Sequence, residues 1–81
     1  MSRAKGVDPS SKLGRAVFQL VDATAKMDAE VRARAMRVRN IIEQDPDDPM
    51  ARFKINPELD ILIRDPKLNA AVRALRAAMP K

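Results

Sequence analysis

The densest chemistry in the sequence is a run of arginines, V-R-A-R-A-M-R-V-R, over residues 31 to 39. The run contains no lysine and no acidic residue. A guanidinium group stays charged at physiological pH, and its planar fork of donors fits phosphate and carboxylate oxygens. The run therefore predicts contact with anionic groups through Arg32, Arg34, Arg37 and Arg39. On a helical wheel, Arg32 and Arg39 lie on one flank of an apolar stripe, and the other two arginines lie on the opposite flank.

Three kinds of anionic group fit this cluster. In the first interpretation the arginines border a seam between helices and pair with carboxylates on an antiparallel helix, the candidates being Asp22, Asp28, Glu30 and Glu43. In the second, they bind nucleic acid through about four to six phosphates, with Lys26, Arg73 or Arg76 as additional contacts. In the third, they bind the acidic surface of a protein partner. Arg73 and Arg76 are candidate contacts for phosphate or for that acidic partner.

Residues suited to catalysis are scarce. The chain has no histidine, cysteine or tyrosine, so it lacks the usual base near neutral pH and the strongest side-chain nucleophile. We interpret Ser10 and Ser11 as helix caps, and Thr24 as a residue whose hydroxyl bonds back to a helix carbonyl. The aspartates of residues 45–48 lack the spacing of a calcium loop. We expect no enzyme activity, catalytic residue, metal site, cofactor or small-molecule substrate.

Composition predicts a small basic protein that needs contacts beyond its own core. The chain has 81 residues, a net charge of +5 and no cysteine or histidine, so neither disulfides nor the usual zinc ligands supplement a thin core. We expect self-association or binding to a larger protein. No apolar run approaches the roughly 20 residues that span a bilayer, and the first residues, M-S-R-A-K-G, do not resemble a signal peptide. We therefore expect a soluble, cytoplasmic protein without a membrane segment.

One apolar stripe runs through the first half of the chain. At 100° of helical rotation per residue, its members fall within about 40° of a single line: Leu13, Val17, Leu20, Thr24, Met27, Val31, Ala35, Val38 and Ile42. No proline interrupts the stripe, and D-P-S-S at residues 8–11 supplies caps and a helix-starting proline. The pattern predicts one amphipathic helix over roughly 10–43. Such a helix is about 50 Å long, so part of its stripe would face another chain.

The stripe supplies the candidate protein interface. We assign to it the apolar residues Leu13, Val17, Leu20, Met27, Val31, Val38 and Ile42. Phe18 and Met36 lie about 140° from the main line and form a second, weaker apolar flank. Flexible methionine at such a site suits a protein interface.

The second half of the chain is organised by prolines that follow Asp or Asn. An Asx residue that caps a helix, followed by proline in its first turn, is a strong helix-start signal. The segment 56–73 repeats [N/D]-P-[E/K]-L-[D/N] at a step of nine, which predicts a short helix over 57–64 capped by Asn56 and another over 66–79 capped by Asp65. We divide the single domain into a basic tail (1–9), the long helix (10–43), an Asp/Pro-rich turn and connector (44–56), and short helices folded back on the long helix (57–81).

Two resemblances concern architecture alone. The paired [N/D]-P-x-L segments, N-P-E-L and D-P-K-L, resemble the aspartate-proline-rich helical domains of heat-shock co-chaperones. The long amphipathic helix followed by P-D-D-P at residues 46–49 is similar in plan to type III secretion needle subunits, although Pro57 and Pro66 interrupt the second arm. Neither resemblance is used to assign a function.

The sequence thus predicts an all-α, oligomeric protein. Its predicted function is that of a small non-catalytic interaction protein, an adaptor, inhibitor or structural subunit acting through the long helix. The alternative is a basic nucleic-acid-binding regulator that uses Arg32 to Arg39, or a helix-turn-helix over 57–79. We expect both phenylalanines to be covered by apolar contacts, which argues against stacking on single-stranded nucleic acid.

Overall fold

The structure, a computed structural model, describes residues 10–45 and 48–79. Within them the chain forms four helices and no strand: α1 (Lys12–Thr24), α2 (Ala29–Gln44), α3 (Ala51–Leu62) and α4 (Asn69–Ala78). Helix α1 packs on α2 and α4, α2 packs on α3, and α3 touches α4 more sparsely. The helices therefore form a ring in which α1 lies diagonally opposite α3. The prediction of an all-α chain is confirmed.

The predicted single helix over 10–43 is wrong, because the chain turns at residues 25–28 and forms α1 and α2 instead. Asp28 has extended backbone angles, φ −56° and ψ 152°, which end any continuous helix. Folding back buries one half of the stripe against the other. Each buried Val, Leu or Ile stabilises by about 1.5–3 kcal/mol, whereas each helical hydrogen bond lost at the turn costs only about 0.5–1.5 kcal/mol.

The core is built from aliphatic residues of all four helices and the turn before α4. Its buried members are Ala16, Val17, Leu20, Ala35, Val38, Ile42, Ala51, Ile55, Leu59, Leu62, Leu68, Ala71, Val72, Leu75 and Met79. Thr24 is the buried polar residue among those described. Its hydroxyl donates to the carbonyls of Leu20 (3.1 Å) and Val21 (3.0 Å), as the sequence predicted, so it is satisfied within α1.

Of the predicted helix caps, Ser11 is confirmed. The prediction that Asp65 caps a helix is wrong, because α4 begins at Asn69 after Leu68 and has no side-chain capping bond. The Ser11 hydroxyl accepts from the Gly14 amide at 3.0 Å and caps α1. Asp48 and Asp65, each followed by proline, accept from the amides two residues on, at 2.8 and 2.9 Å, and so order the turns before α3 and α4.

Asn56 caps no helix, because it lies inside α3, and Pro57 follows it within the same helix. Pro57 is exposed, so the Phe53 carbonyl that loses its helical donor lies on the outer side of α3, where water can replace the bond. The predicted helix over 57–64 therefore starts earlier, at residue 51, and the predicted helix over 66–79 is α4 preceded by a turn. The connector between α2 and α3 is shorter than the predicted 44–56. The predicted basic tail, residues 1–9, lies outside the described residues.

No helix in the described part of the chain is long and apolar enough to cross a membrane.

Candidate protein interface

The arginine cluster is divided between two flanks of α2, as the helical wheel predicted. Arg34 and Arg37 face α3, where both donate to the Glu58 carboxylate, at 2.8 Å to Oε1 and 3.0 Å to Oε2. Glu30, one turn before Arg34, lies 3.8 Å from the same guanidinium. These two arginines therefore pair with carboxylates of their own chain at the contact between α2 and α3. Of the candidate carboxylates only Glu30 approaches them, and it lies on α2 itself. The main acceptor, Glu58 of α3, was not among the candidates.

Glu58 carries its charge between two arginines at a half-buried position. Burial of the carboxyl raises its pKa, but the hydrogen bonds from Arg37 and Arg34 and the charges of both guanidinium groups outweigh that effect, so the pKa of Glu58 lies below its ordinary value of 4.5. The Glu58 side chain is only 16% exposed, which limits screening of these bonds by solvent. The three residues tie α2 to α3.

We expect Glu58→Gln to lower the free energy of unfolding at pH 7 by roughly 1–2 kcal/mol, because two charge-assisted bonds become neutral ones. Since the folded-state pKa is lowered, this stabilisation is complete above pH 4.5 and is lost as the pH falls through the lowered pKa. Urea unfolding at pH 7 and pH 3 checks this, and the difference in stability between the two proteins should be smaller at the lower pH. Asp60→Asn, on the same helix but 66% exposed, is the control and should change stability by less than about 1 kcal/mol. An equal loss at both pH values would contradict the assignment.

On its other flank, α2 presents Arg32 and Arg39 toward α1. Arg39 pairs with Glu43 at 3.1 Å, and its terminal nitrogen lies 3.7 Å from the Met36 sulfur. Arg32 is exposed, and no described carboxylate pairs with it. Arg32 is therefore the member of the cluster whose charge is available to an outside group.

The remaining two candidate arginines lie on α4. Arg76 pairs with Asp60 of α3, and Arg73 is exposed without an ion pair to a described residue. The structure thus distributes the six candidate arginines over separate surfaces. They do not form one continuous basic track.

Most of the predicted interface residues are used inside the chain itself. Val17, Leu20, Val38 and Ile42 are buried in the core, and the partly buried residues Leu13, Met27 and Val31 pack against it. Because α1 and α2 fold onto each other, the apolar residues of the stripe are buried or partly buried in contacts among the four helices. The stripe is therefore not a free face for another chain.

Phe18 and Met36, the two residues of the second flank, are exposed. Phe18 is 70% exposed on α1 and Met36 is 37% exposed on α2. A groove of about 240 Å³ runs between these helices. Its lining residues are Val21, Thr24, Ala25, Arg32 and Met36. Phe18 is not a lining residue, but it lies one turn before Val21 on the same side of α1 and so stands beside the groove. We call the surface formed by Phe18, Val21, Ala25, Arg32 and Met36 the α1/α2 groove.

Sequence reasoning missed a second exposed surface on α3. Phe53 is 65% exposed, Met50 53% and Ile61 39%, so the expectation that both phenylalanines are covered is wrong within the isolated chain. Because Asn56-Pro57 predicts a helix start, the sequence pattern does not indicate one continuous helix over 50–61. On a continuous helix the spacing of Met50, Phe53, Pro57 and Ile61 puts them on one face.

Among the described residues, no group of three acidic side chains is arranged to hold a metal ion. In comparisons with known proteins, no family model, curated protein or solved structure matches the chain.

Proposed function

We propose that the protein is a non-catalytic binding module whose α1/α2 groove takes an acidic amphipathic helix of a protein partner. The observation that carries this proposal is a groove lined by the half-exposed Met36 and by Arg32, which no described carboxylate pairs with, beside the exposed Phe18. Two adjacent helices offer a third helix a ridged apolar surface, and such grooves are a recurrent mode of peptide recognition.

Charge favours an acidic partner. The chain carries a net charge of +5, which attracts anionic groups and opposes close approach of basic ones. At the groove, Arg32 lacks a carboxylate from the described residues, so a glutamate or aspartate on the incoming helix would complete it. The apolar wall of Phe18, Val21 and Met36 would cover the other face of that helix.

Nucleic acid fits this surface less well. Binding of a backbone track requires several unpaired cations in a row, whereas Arg34, Arg37 and Arg39 are each held by a carboxylate of the chain. Phe18 is exposed and could stack on a base, but the lining of the groove beside it offers a phosphate a single cation, Arg32.

The test uses a helical peptide of about 18 residues, with leucines at i, i+3, i+4 and i+7 and glutamates on both flanks, and a second peptide with lysines in place of the glutamates. We expect the acidic peptide, but not the lysine peptide, to shift the amide resonances of residues that line the groove. Phe18→Asp should weaken its binding by at least about tenfold, because an aspartate removes the apolar wall and repels the glutamates. Arg32→Gln should weaken it by a smaller factor and reduce its salt dependence.

Phe53→Asp is the matched control, because it makes the same change at a similarly exposed phenylalanine on the diagonally opposite helix. Equal weakening by both aspartate variants, equal binding of the lysine peptide, or no shifts at millimolar peptide would each overturn the proposal. So would salt-dependent binding of duplex DNA or RNA with a slope of about −4 or steeper, abolished by glutamine at positions 32, 34, 37 and 39, because that slope reports four or more phosphate contacts.

A further inference from the structure

The outer face of α3 carries an apolar stripe that the fold leaves uncovered. Met50, Phe53, Pro57 and Ile61 lie within about 80° of one another on the helical wheel, and all four are exposed. The core residues of the same helix, Ile55, Leu59 and their neighbours, lie on the opposite side, about 150° away. Helix α3 is therefore apolar on two faces, although its own bundle covers one of them. We call the outer four residues the α3 stripe.

We propose that the α3 stripe is the contact face of a weak homodimer, in which α3 of one copy packs antiparallel against α3 of a second copy. Antiparallel pairing about a two-fold axis near residues 55–56 places Phe53 of one copy beside Pro57 of the other, and Met50 beside Ile61. The phenyl ring of Phe53 then packs on the pyrrolidine ring of Pro57 at the centre of the contact. The same surface serves both copies, as a two-fold interface requires.

Charge at the two ends of the stripe is complementary only in the antiparallel arrangement. Arg64 lies just beyond the C-terminal end of α3, is exposed, and has no ion pair to a described carboxylate. Among the described residues, Asp48 lies just before α3, where its carboxylate pairs with Lys54 at 3.2 Å. Antiparallel packing brings Arg64 of each copy toward Asp48 of the other. Parallel packing would instead place the two Arg64 side chains together.

The size of the stripe fixes the strength of the contact. Four partly exposed side chains on one helix bury on the order of 400 Å² per chain, about half of the 800 Å² typical of a stable interface. The net charge of +5 on each copy opposes association further. Both effects predict a reversible dimer that is populated only at high protein concentration.

Dimerisation through α3 leaves the α1/α2 groove open. Helices α1 and α3 occupy opposite corners of the ring and do not touch each other. The two grooves of a dimer would therefore face outward on opposite sides, and a partner with two acidic helices would gain avidity from binding both. The dimer itself does not depend on the proposed groove ligand.

Sedimentation equilibrium on the full chain tests the contact. We expect the average mass to rise from 9.0 kDa toward twice that value between about 10 µM and 1 mM. Phe53→Asp should weaken association by at least about tenfold, because two buried aspartates would meet near the two-fold axis. Phe18→Asp, the matched change on α1, should leave association unchanged. Phe53→Asp is the control for peptide binding and the test variant for self-association, and Phe18→Asp has the reverse roles. Failure of the dimer proposal is therefore distinguishable from failure of the groove proposal.

Cysteine pairing tests the direction of the contact, since the chain has no cysteine of its own. In the antiparallel pair, residue 50 of one copy meets residue 61 of the other, whereas identical positions lie about 16 Å apart, beyond disulfide reach. A mixture of Met50→Cys and Ile61→Cys should form the mixed disulfide faster than either variant forms its own. A monomer up to 1 mM, equal effects of both aspartate variants, or preferential self-pairing of either cysteine variant would overturn the proposal.

Discussion

The Ala29→Pro variant should unfold with a free energy within about 1 kcal/mol of the parent protein, whereas Ala33→Pro should lose about 3 kcal/mol or more. Ala29 is the first residue of α2, where no helical carbonyl awaits its amide, and proline is favoured there. Asp28 before it is already extended, with ψ 152°, as a residue before proline must be. Ala33 lies in the helix interior, so proline there removes a hydrogen bond and clashes with the preceding turn.

Both alanines are exposed, which separates the backbone effect from packing. A loss of 3 kcal/mol is a large part of the roughly 4–12 kcal/mol expected for a chain of this length, and it should lower Tm by about 12 °C or more. Thermal and urea unfolding followed by circular dichroism measure both changes. If Ala29→Pro were as damaging as Ala33→Pro, residues 25–32 would be helical and the turn between α1 and α2 would be absent.

This turn was the main feature that the sequence did not predict. The apolar stripe keeps its phase through residues 25–28, with Met27 packing on the core beside Val31, so helical periodicity identified the buried residues but not the place where the chain reverses. The local signal was weak. Asp28 followed by Glu30 is typical of a helix start, yet the Asp28 side chain makes no capping hydrogen bond.

Prolines were informative about turns and misleading about one helix. Asp48 and Asp65 order the turns before α3 and α4, although neither of them caps a helix. Asn56-Pro57 has the same local chemistry but lies inside α3, because Ile55 and Leu59 on either side are fully buried. Tertiary burial of those residues outweighs the helix bond that Pro57 removes.

The sequence predicted on which side of its helix each candidate residue lies, but not which residues it contacts. Spacing alone placed Arg34 and Arg37 on one side of α2, and Phe18 and Met36 away from the core. Glu58 was missed because the ring of helices, not the local sequence, brings a residue of α3 beside α2. The contact between these arginines and Glu58 depends on how α2 and α3 pack, and the sequence of the arginine run gives no information about that packing.

Two substitutions on α3 should separate stability from association. We expect Leu59→Ala to lower the free energy of unfolding by about 2–5 kcal/mol, because Leu59 is fully buried among the core residues and its truncation leaves a cavity. Phe53→Ala should change stability by no more than about 0.5 kcal/mol, since its ring is 65% exposed and alanine is the better helix former. A larger side chain is removed at position 53, yet the smaller effect is expected there.

Urea unfolding at about 5 µM protein, where the monomer dominates, measures both changes without a contribution from association. The dimer assay should rank the variants in the opposite order: Phe53→Ala weakens self-association while leaving the fold intact, and Leu59→Ala weakens the fold. If Phe53→Ala were as destabilising as Leu59→Ala in the monomer, Phe53 would belong to the core, and the α3 stripe would have no exposed aromatic with which to bind a second copy. The outward position of Phe53 is thus what connects the fold to the proposed dimer. The monomer has no folding reason to keep a phenylalanine there, because alanine would serve the helix as well.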